Sequence, residues 1–261
     1  MDIINTAIGA AKKAGALLRG RFGDAGTVKY KGAVDLVTEM DRAAEELIIG
    51  ELKGAFPGHG ILTEESPEQK AASGCRWIID PIDGTTNYAH AFPVFCVSIA
   101  FEDRGEVTAG VVYNPMLDEL FVAEKGRGAT LNDRRISVSK TPALDRSLLA
   151  TGFPYDIRTS LANNLSNFAS FAVKAQAIRR AGSAALDLSY TACGRFDGFW
   201  EMKLRPWDVA AAALMVREAG GRITDFEGKG FSIHGKECLA SNGLIHDSML
   251  DVLKGERERA R

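Results

Sequence analysis

Apolar positions recur at helical spacing at the start of the chain. Ile3, Ile4, Ala7, Ile8, Ala11, Gly15 and Leu18 share one face at a period of about 3.6 residues. The pattern predicts an amphipathic helix over 3–19 lying on a core. A second helix is predicted over 39–55, entered through Thr38 as its N-cap. Residues 76–80 then read as a buried strand, and 94–101, 107–113 and 119–123 have strand character. Asp103-Arg104-Gly105, Asn114-Pro115 and Lys125-Gly126 separate these runs with turn chemistry, which predicts an antiparallel meander.

The later chain alternates differently. A strand at 147–151 precedes a helix over 160–174, and 177–180 reads as a strand entering a helix at Ser183. A strand at 196–201 leads to a helix over 206–219. Pro206 opens that helix and Gly220-Gly221 lies past its end, the expected asymmetry. A strand at 236–241, a helix at 247–254 and a solvated tail complete the pattern. Strands and helices mix throughout, so the expected class is α+β with layered packing. The expected organisation is one compact unit of two halves, 1–142 and 143–261, joined near 140–145.

Composition narrows the function classes. The chain has 261 residues, 46% hydrophobic and 25% charged, with a formal net charge of −2. No bulk electrostatic attraction to nucleic acid or anionic membrane follows from that balance. Cys75, Cys96, Cys193 and Cys238 are scattered, with no CxxC pair, so reduced thiols in a cytosol are expected. The N-terminal segment carries Asp2 and central lysines and lacks the form of a signal peptide. The charge-free segment 87–101, which includes a strand, contains Pro93 and is too short to span a bilayer. The expectations are a cytoplasmic protein with no membrane attachment and no direct nucleic-acid binding.

The chemistry concentrates in WIIDPIDGTTNYAH, residues 77–90. Asp80 is expected to end a strand, and Gly84-Thr85-Thr86 to open a helix, with Pro81 stiffening the connection. A tight turn there brings Asp80 and Asp83 toward one point, where two bare carboxylates repel. A divalent cation removes that conflict, and oxygen-only ligands favour a hard ion, Mg²⁺ first. The helix start offers the N–H groups of Gly84 and Thr85 to an anion. A phosphate ester bridging the two sites suits that pairing. The alternative is structural, with Asp83 only capping the helix. Glu64-Glu65 in a loop and Asp208 in a first helical turn have equally plain readings when taken alone. The four histidines, His59, His90, His234 and His246, lack ligand spacing, and no nucleophilic serine or cysteine with a partner base stands out.

DPIDGTTN (80–87), EES (64–66) and WDVAA (207–211) together resemble the inositol monophosphatase family. LVTEMD (36–41), FPVFCVSIAF (92–101), GVVYNP (110–115), RRAGSAALDLSYTACGRFDGFWE (179–201) and REAGG (217–221) extend the likeness in order over essentially the whole chain, the 179–201 segment looking most like the bacterial branch. The resemblance implies a layered α-β-α-β-α sandwich of the inositol monophosphatase and fructose-1,6-bisphosphatase type, usually dimeric. It implies Mg²⁺-dependent, lithium-sensitive hydrolysis of a phosphate monoester of a small polyol, myo-inositol monophosphate first, with most metal ligands in the N-terminal half. Carried over, Glu64, Asp80, the Ile82 carbonyl, Asp83 and Asp208 become the ligands of two or three ions, with Asp80 bridging two. Gly84 and Thr85 hold the phosphate, while Thr85, paired with Asp41, orients the attacking water. Gly182, Ser183, Ala184 and Glu201 face the alcohol. Two departures stand out: Thr63 where family members often have glycine, and a basic 202–205 segment in which Lys203 or Arg205 favours a second negative group or is plain surface charge. Fructose 1,6-bisphosphate, histidinol phosphate and a nucleotide 3′-phosphate remain alternative substrates, and a partner-binding role in transcription or RNA processing is the alternative outside catalysis.

Overall fold

The computed structural model describes residues 2–24, 28–30, 36–71 and 73–259. Two helices open it, α1 (Ile3–Gly20) and α2 (Glu39–Ala55), with the ribbon β1 (Val28–Tyr30) and β2 (Leu36–Thr38) between them. A seven-stranded sheet follows in chain order: β3 (Gly60–Thr63), β4 (Cys75–Asp83), β5 (Cys96–Asp103), β6 (Glu106–Asn114), β7 (Glu119–Glu124), β8 (Gly128–Leu131) and β9 (Arg134–Arg135). The short helix α3 (Thr85–Ala89) interrupts it after β4. From β4 onward the sheet is antiparallel, so the expected meander is present. A five-stranded sheet comes from β10 (Leu148–Thr151), β11 (Ala177–Arg179), β12 (Gly198–Met202), β13 (Arg222–Thr224) and β14 (Glu237–Ser241), in the order β11-β10-β12-β14-β13. Its helices are α4 (Leu165–Ala172), α5 (Ala184–Ala192), α6 (Pro206–Glu218) and α7 (His246–Arg259).

Side-chain alternation along the strands sets the layers. Trp77 and Ile79 of β4 pack with Ala11, Leu18 and Ile48 of α1 and α2, while Ile78 points the other way, into a core shared with α5 and α6. Phe199 of β12 joins that middle core, and its neighbour Trp200 packs with Phe171, Met249 and Leu253 on the outer side. The order is helix, sheet, helix, sheet, helix, as expected from the family likeness. The middle helices are apolar nearly all round because sheets cover both sides; residues 209–216 of α6 are all buried. Small side chains let α6 approach closely. A Cβ placed on Gly110 of β6 would lie 2.7 Å from the Ala211 carbonyl oxygen and 2.9 Å from its Cα. That contact fixes how far α6 stands from the sheet.

Three expectations change, and six short strands add to them. The strand expected over 76–80 continues through Pro81 to Asp83, with its register against β5 shifting between Asp80 and Asp83. A bulge is where a strand accepts proline, which cannot donate to the ladder. The helix expected over 160–174 shrinks to α4 because Asn164, at φ 71°, turns the chain before Leu165. The last helix runs on to Arg259 through residues read as tail; 260 and 261 lie outside the described residues. Strands β1, β2, β3, β8, β9 and β13, of two to four residues, are too short for a period to register. All four cysteines are free, and among the described residues no helix is long and apolar enough to cross a membrane.

Gly110→Ala should push α6 off β6 and lower the unfolding free energy by about 1–3 kcal/mol. Urea denaturation reads this as a lower midpoint at unchanged slope; an unmoved midpoint would mean that the close contact is not required.

Candidate functional site

Five parallel strand ends meet at one place. β3 runs parallel to β4, and β10 runs parallel to both β11 and β12. In such sheets the loops beyond the carboxyl ends are where ligands collect. Glu64 follows β3, Asp80 and Asp83 close β4, Gly152 follows β10, Arg180 follows β11, and Glu201 lies near the end of β12. All of them line one pocket of about 550 Å³. The N-termini of α3, α5 and α6 bring Thr85, Ser183, Ala184 and Asp208 to the same pocket. Every site residue named from the sequence lines it except Asp41, which sits buried behind the wall.

Asp80 and Asp83 are brought together, though not by the expected turn. Asp80 Oδ1 accepts from the Ile82 N–H at 3.0 Å across the bulge, and Ile82 buries its side chain. Asp83 does not cap the helix that follows it. The N-cap of α3 is Gly84, at φ 107°, which supplies no side-chain cap. Asp83 Oδ2 instead accepts from Ser183 Oγ at 2.7 Å and from the Ala185 N–H at 2.6 Å, and so caps α5, a hundred residues away. Ser183 is the N-cap of that helix, and its hydroxyl also accepts from the Leu186 N–H at 3.4 Å. Gly84 is obligatory for a second reason: a Cβ there would lie 2.9 Å from the Val94 carbonyl oxygen. Among the described residues the N–H groups of Gly84 and Thr85 donate to no protein acceptor.

Asp41 proves to be neither solvated nor free. It is fully buried; Oδ2 accepts from Thr38 N at 2.7 Å and Thr38 Oγ1 at 2.6 Å, closing a capping box on α2. Its Oδ1 accepts from Thr85 Oγ1 at 2.9 Å, and the same hydroxyl lies 3.0 Å from the Ile82 carbonyl. Asp208 repeats the device, with Oδ2 accepting from Arg205 N at 2.7 Å at the start of α6. Glu64, half-buried, is placed by a residue given no role from the sequence. Glu45, one helical turn after Asp41, accepts from Thr63 Oγ1 at 2.6 Å, from Glu65 N at 3.0 Å and from Ser66 Oγ. Thr63 thereby gains a purpose where glycine was the expected residue. The i, i+4 spacing on α2 was the signal that could have found Glu45.

On the opposite wall stand Gly182, Ser183, Ala184 and Glu201. Asn87 Nδ2 ties this wall to the α3 loop through the Val94 and Ala181 carbonyls, at 2.7 and 2.8 Å; it lay in the quoted motif without an assigned role. Lys203 is spent at the rim, bonding both Asp156 oxygens at 2.9 and 2.7 Å and Ser160 Oγ at 2.9 Å. Of the two basic candidates, only the exposed Arg205 keeps its cationic group without an ion pair among the described residues.

Crowding of acids dominates the electrostatics. Asp80 is held well above the usual carboxylate range, first by burial and then by the charges of Glu64, Asp83, Asp208 and Asp41. Asp208 is raised the same way, by withdrawal from water and by Asp83 and Glu64, against the Arg205 N–H that favours its anion. Burial pushes Asp83 up to about 6 despite the stabilising donors at α5. Burial likewise lifts Glu201 to about 8, with Arg180 opposing and Asp83 adding to the rise. Among the described residues, no three His, Cys, Asp or Glu side chains already close around an ion. The donor set nonetheless fits hard divalent cations: all oxygen, mutually repelling, and charge-deficient at neutral pH.

Comparison with known proteins agrees over nearly the full length. The model of the inositol monophosphatase family matches residues 1–258. An inositol-1-monophosphatase of Mesorhizobium japonicum is 42% identical over 255 residues, 97% of this chain and 96% of the relative. The Nus factor SuhB of Escherichia coli K12 is 42% identical over 257 residues, with coverage of 97% and 96%. The crystal structure of the extragenic suppressor protein suhB from Bartonella henselae superposes with a TM-score of 0.91 at 45% identity, covering 97% of this chain and 98% of that one.

Because Glu201 binds its proton more tightly in the folded chain than in the unfolded one, its contribution to stability is complete below about 4.3 and is lost as pH rises through about 8. In chelator, Glu201→Gln should flatten the fall in melting temperature between pH 5 and pH 8. It should also raise the unfolding free energy at pH 8 by about 1–3 kcal/mol. An identical pH slope in both proteins would contradict the buried-charge account.

Proposed function

The chain belongs to the inositol monophosphatase family, a family of phosphatases, and on that premise we propose that it hydrolyses phosphate monoesters of small polyols, myo-inositol monophosphate first. One observation carries the reading: carboxylates from positions 64, 80, 83 and 208 share a pocket with the unengaged amides of Gly84 and Thr85. Glu64, Asp80, Asp83, Asp208 and the Ile82 carbonyl are the groups that would hold Mg²⁺. Four carboxylate charges balance two ions, and a third, weaker ion or the helix termini would help offset a phosphate dianion. Bound there, Mg²⁺ supplies charge neutralisation, a more acidic water and stabilisation of the leaving alkoxide. Li⁺ is the expected competitor for so hard an oxygen site.

The protein groups have separable tasks in this reading. The N–H groups of Gly84 and Thr85 orient the phosphate oxygens. Thr85 Oγ1 directs its own proton to Asp41 Oδ1, so its lone pairs face the pocket and accept from the attacking water. Asp41, buried and bonded on both oxygens, draws the proton away from phosphorus. Ser183, Ala184, Gly182 and Glu201 shape the alcohol subsite. Positioning and charge neutralisation account for most of phosphate-ester catalysis, which suits a pocket with no protein nucleophile. Commitment of Lys203 to Asp156 and Ser160 weakens the case for a substrate whose second anion Lys203 would read.

A homodimer is part of the same reading. Leu161 is 102% exposed and Val173 84%, flanking α4, and a second copy is the proposed cover. Four free thiols fit a reducing cytoplasm. The name of the Escherichia coli relative, Nus factor, supports a second reading, a partner-binding role alongside catalysis; the intact acid set favours catalysis first.

Asp83→Asn should reduce turnover at least a thousandfold, and EDTA should abolish wild-type activity until Mg²⁺ is restored. Phosphate release from inositol, sugar and nucleotide phosphates is the readout; a near-normal rate in the variant or in chelator contradicts the assignment. Capture of transcription factors from lysate equally well by Asp83→Asn would instead support the partner-binding reading. Light scattering should give twice 28.1 kDa; a monomeric mass excludes the dimer.

A further inference from the structure

The alcohol side of the pocket holds a second buried acid to which no task has been given. Asp187 lies one turn into α5, on the same face as Ser183, and is 1% exposed. It lines the pocket together with Glu201. Its Oδ1 is buried with no hydrogen-bond partner among the described residues. The carboxylate of Glu201, a residue 9% exposed, likewise accepts no hydrogen bond among the described residues, and Gly152 backs it so closely that even a Cβ would overlap it. Folded proteins rarely leave such groups unmatched, because each has lost its water without gaining a partner. Two neighbouring carboxyls without donors therefore point to donors brought by a ligand.

The ligand's chemistry follows from what else stands there. Arg180 lies close enough to act on both acids and supplies positive charge at that wall. A ligand there need not be cationic; it needs adjacent O–H donors. We propose that Asp187 and Glu201 together read two neighbouring hydroxyls of the substrate's alcohol, which makes Asp187 a specificity-determining residue for a vicinal diol beside the ester. One hydroxyl donates to Glu201, and the next donates toward Asp187 at the foot of α5. The assignment rests on the phosphatase reading above and narrows its substrate class: a neutral polyol phosphate is preferred over an amino-alcohol phosphate and over an ester without hydroxyls.

The test compares myo-inositol 1-phosphate with cyclohexyl phosphate, the same ring without hydroxyls, in the Mg²⁺-loaded wild type, Asp187→Asn and Asp187→Leu. The ratio of kcat/KM for the inositol ester over the cyclohexyl ester should fall about tenfold in Asp187→Leu, mainly through KM. Asp187→Asn, which keeps one acceptor, should lose less. Thermal melting shows whether each variant is folded; if the leucine variant is not, the asparagine variant carries the comparison. An unchanged ratio overturns the diol assignment. So does a wild-type preference for histidinol phosphate over the inositol ester. If the wild type hydrolyses neither ring ester nor any other monoester, the phosphatase reading fails and the assignment falls with it; if both rings are hydrolysed and the ratio holds, only the role of Asp187 fails.

Discussion

Negative charge drawn out of water toward one point is the constraint on which this molecule is organised. Asp80, Asp208, Asp187 and Glu201 are pushed above their ordinary proton affinities by burial and by neighbouring acids, and Asp83 by burial. Left uncompensated, such a cluster opposes folding at neutral pH. The fold answers it with the positive ends of helices: α2, α3, α5 and α6 all begin beside it, and three of them donate N–H groups to its carboxylates. That compensation is partial, and in the proposed reading divalent cations complete it.

The same requirement explains the layering. Four acids separated by up to 144 positions in the chain reach one pocket because α5 and α6 are sandwiched between two sheets whose parallel strands end on the same side. An all-round apolar α6, seated on Gly110 through Ala211, sets the depth at which Asp208 arrives. Asp83 then ties the seven-stranded sheet to the middle helix layer, since its bonds to Ser183 and Ala185 cap α5. Packing precision in the middle layer and charge geometry in the pocket are one property.

What the sequence made legible was local. The 39–55 helix agrees to the residue because its cap is contained within four positions, Thr38 to Asp41. The meander agrees because its turns carry Gly, Pro, Asn and Asp. The set of pocket residues was readable only through family likeness, because periodicity says nothing about which distant carboxylates meet. The bulge at Pro81 was hidden for the opposite reason: a proline inside a strand reads as its end. Glu45 and Asn87 were given no role because their work is to hold other segments, with Thr63 lying 18 positions from Glu45 and Ala181 lying 94 from Asn87. Glu45 left one local trace, its i, i+4 spacing from Asp41 on α2, whereas nothing in the linear pattern marks Asn87.

Each carboxylate in the cluster divides its labour between its two oxygens. Asp41 gives Oδ2 to the start of α2 and Oδ1 to Thr85. Asp80 gives Oδ1 to the bulge, Asp83 gives Oδ2 to α5, and Asp208 gives Oδ2 to α6. One oxygen fixes the rotamer against backbone N–H groups, and the other is thereby aimed before any ligand arrives. Orientation that is already paid for in the folded state does not have to be recovered from binding energy. Glu201 and Asp187 break this rule, since neither is fixed through a protein donor. In the proposed reading their orientation is completed only when hydroxyls arrive, so the side that would hold metal is prearranged while the alcohol side is left for the substrate to finish.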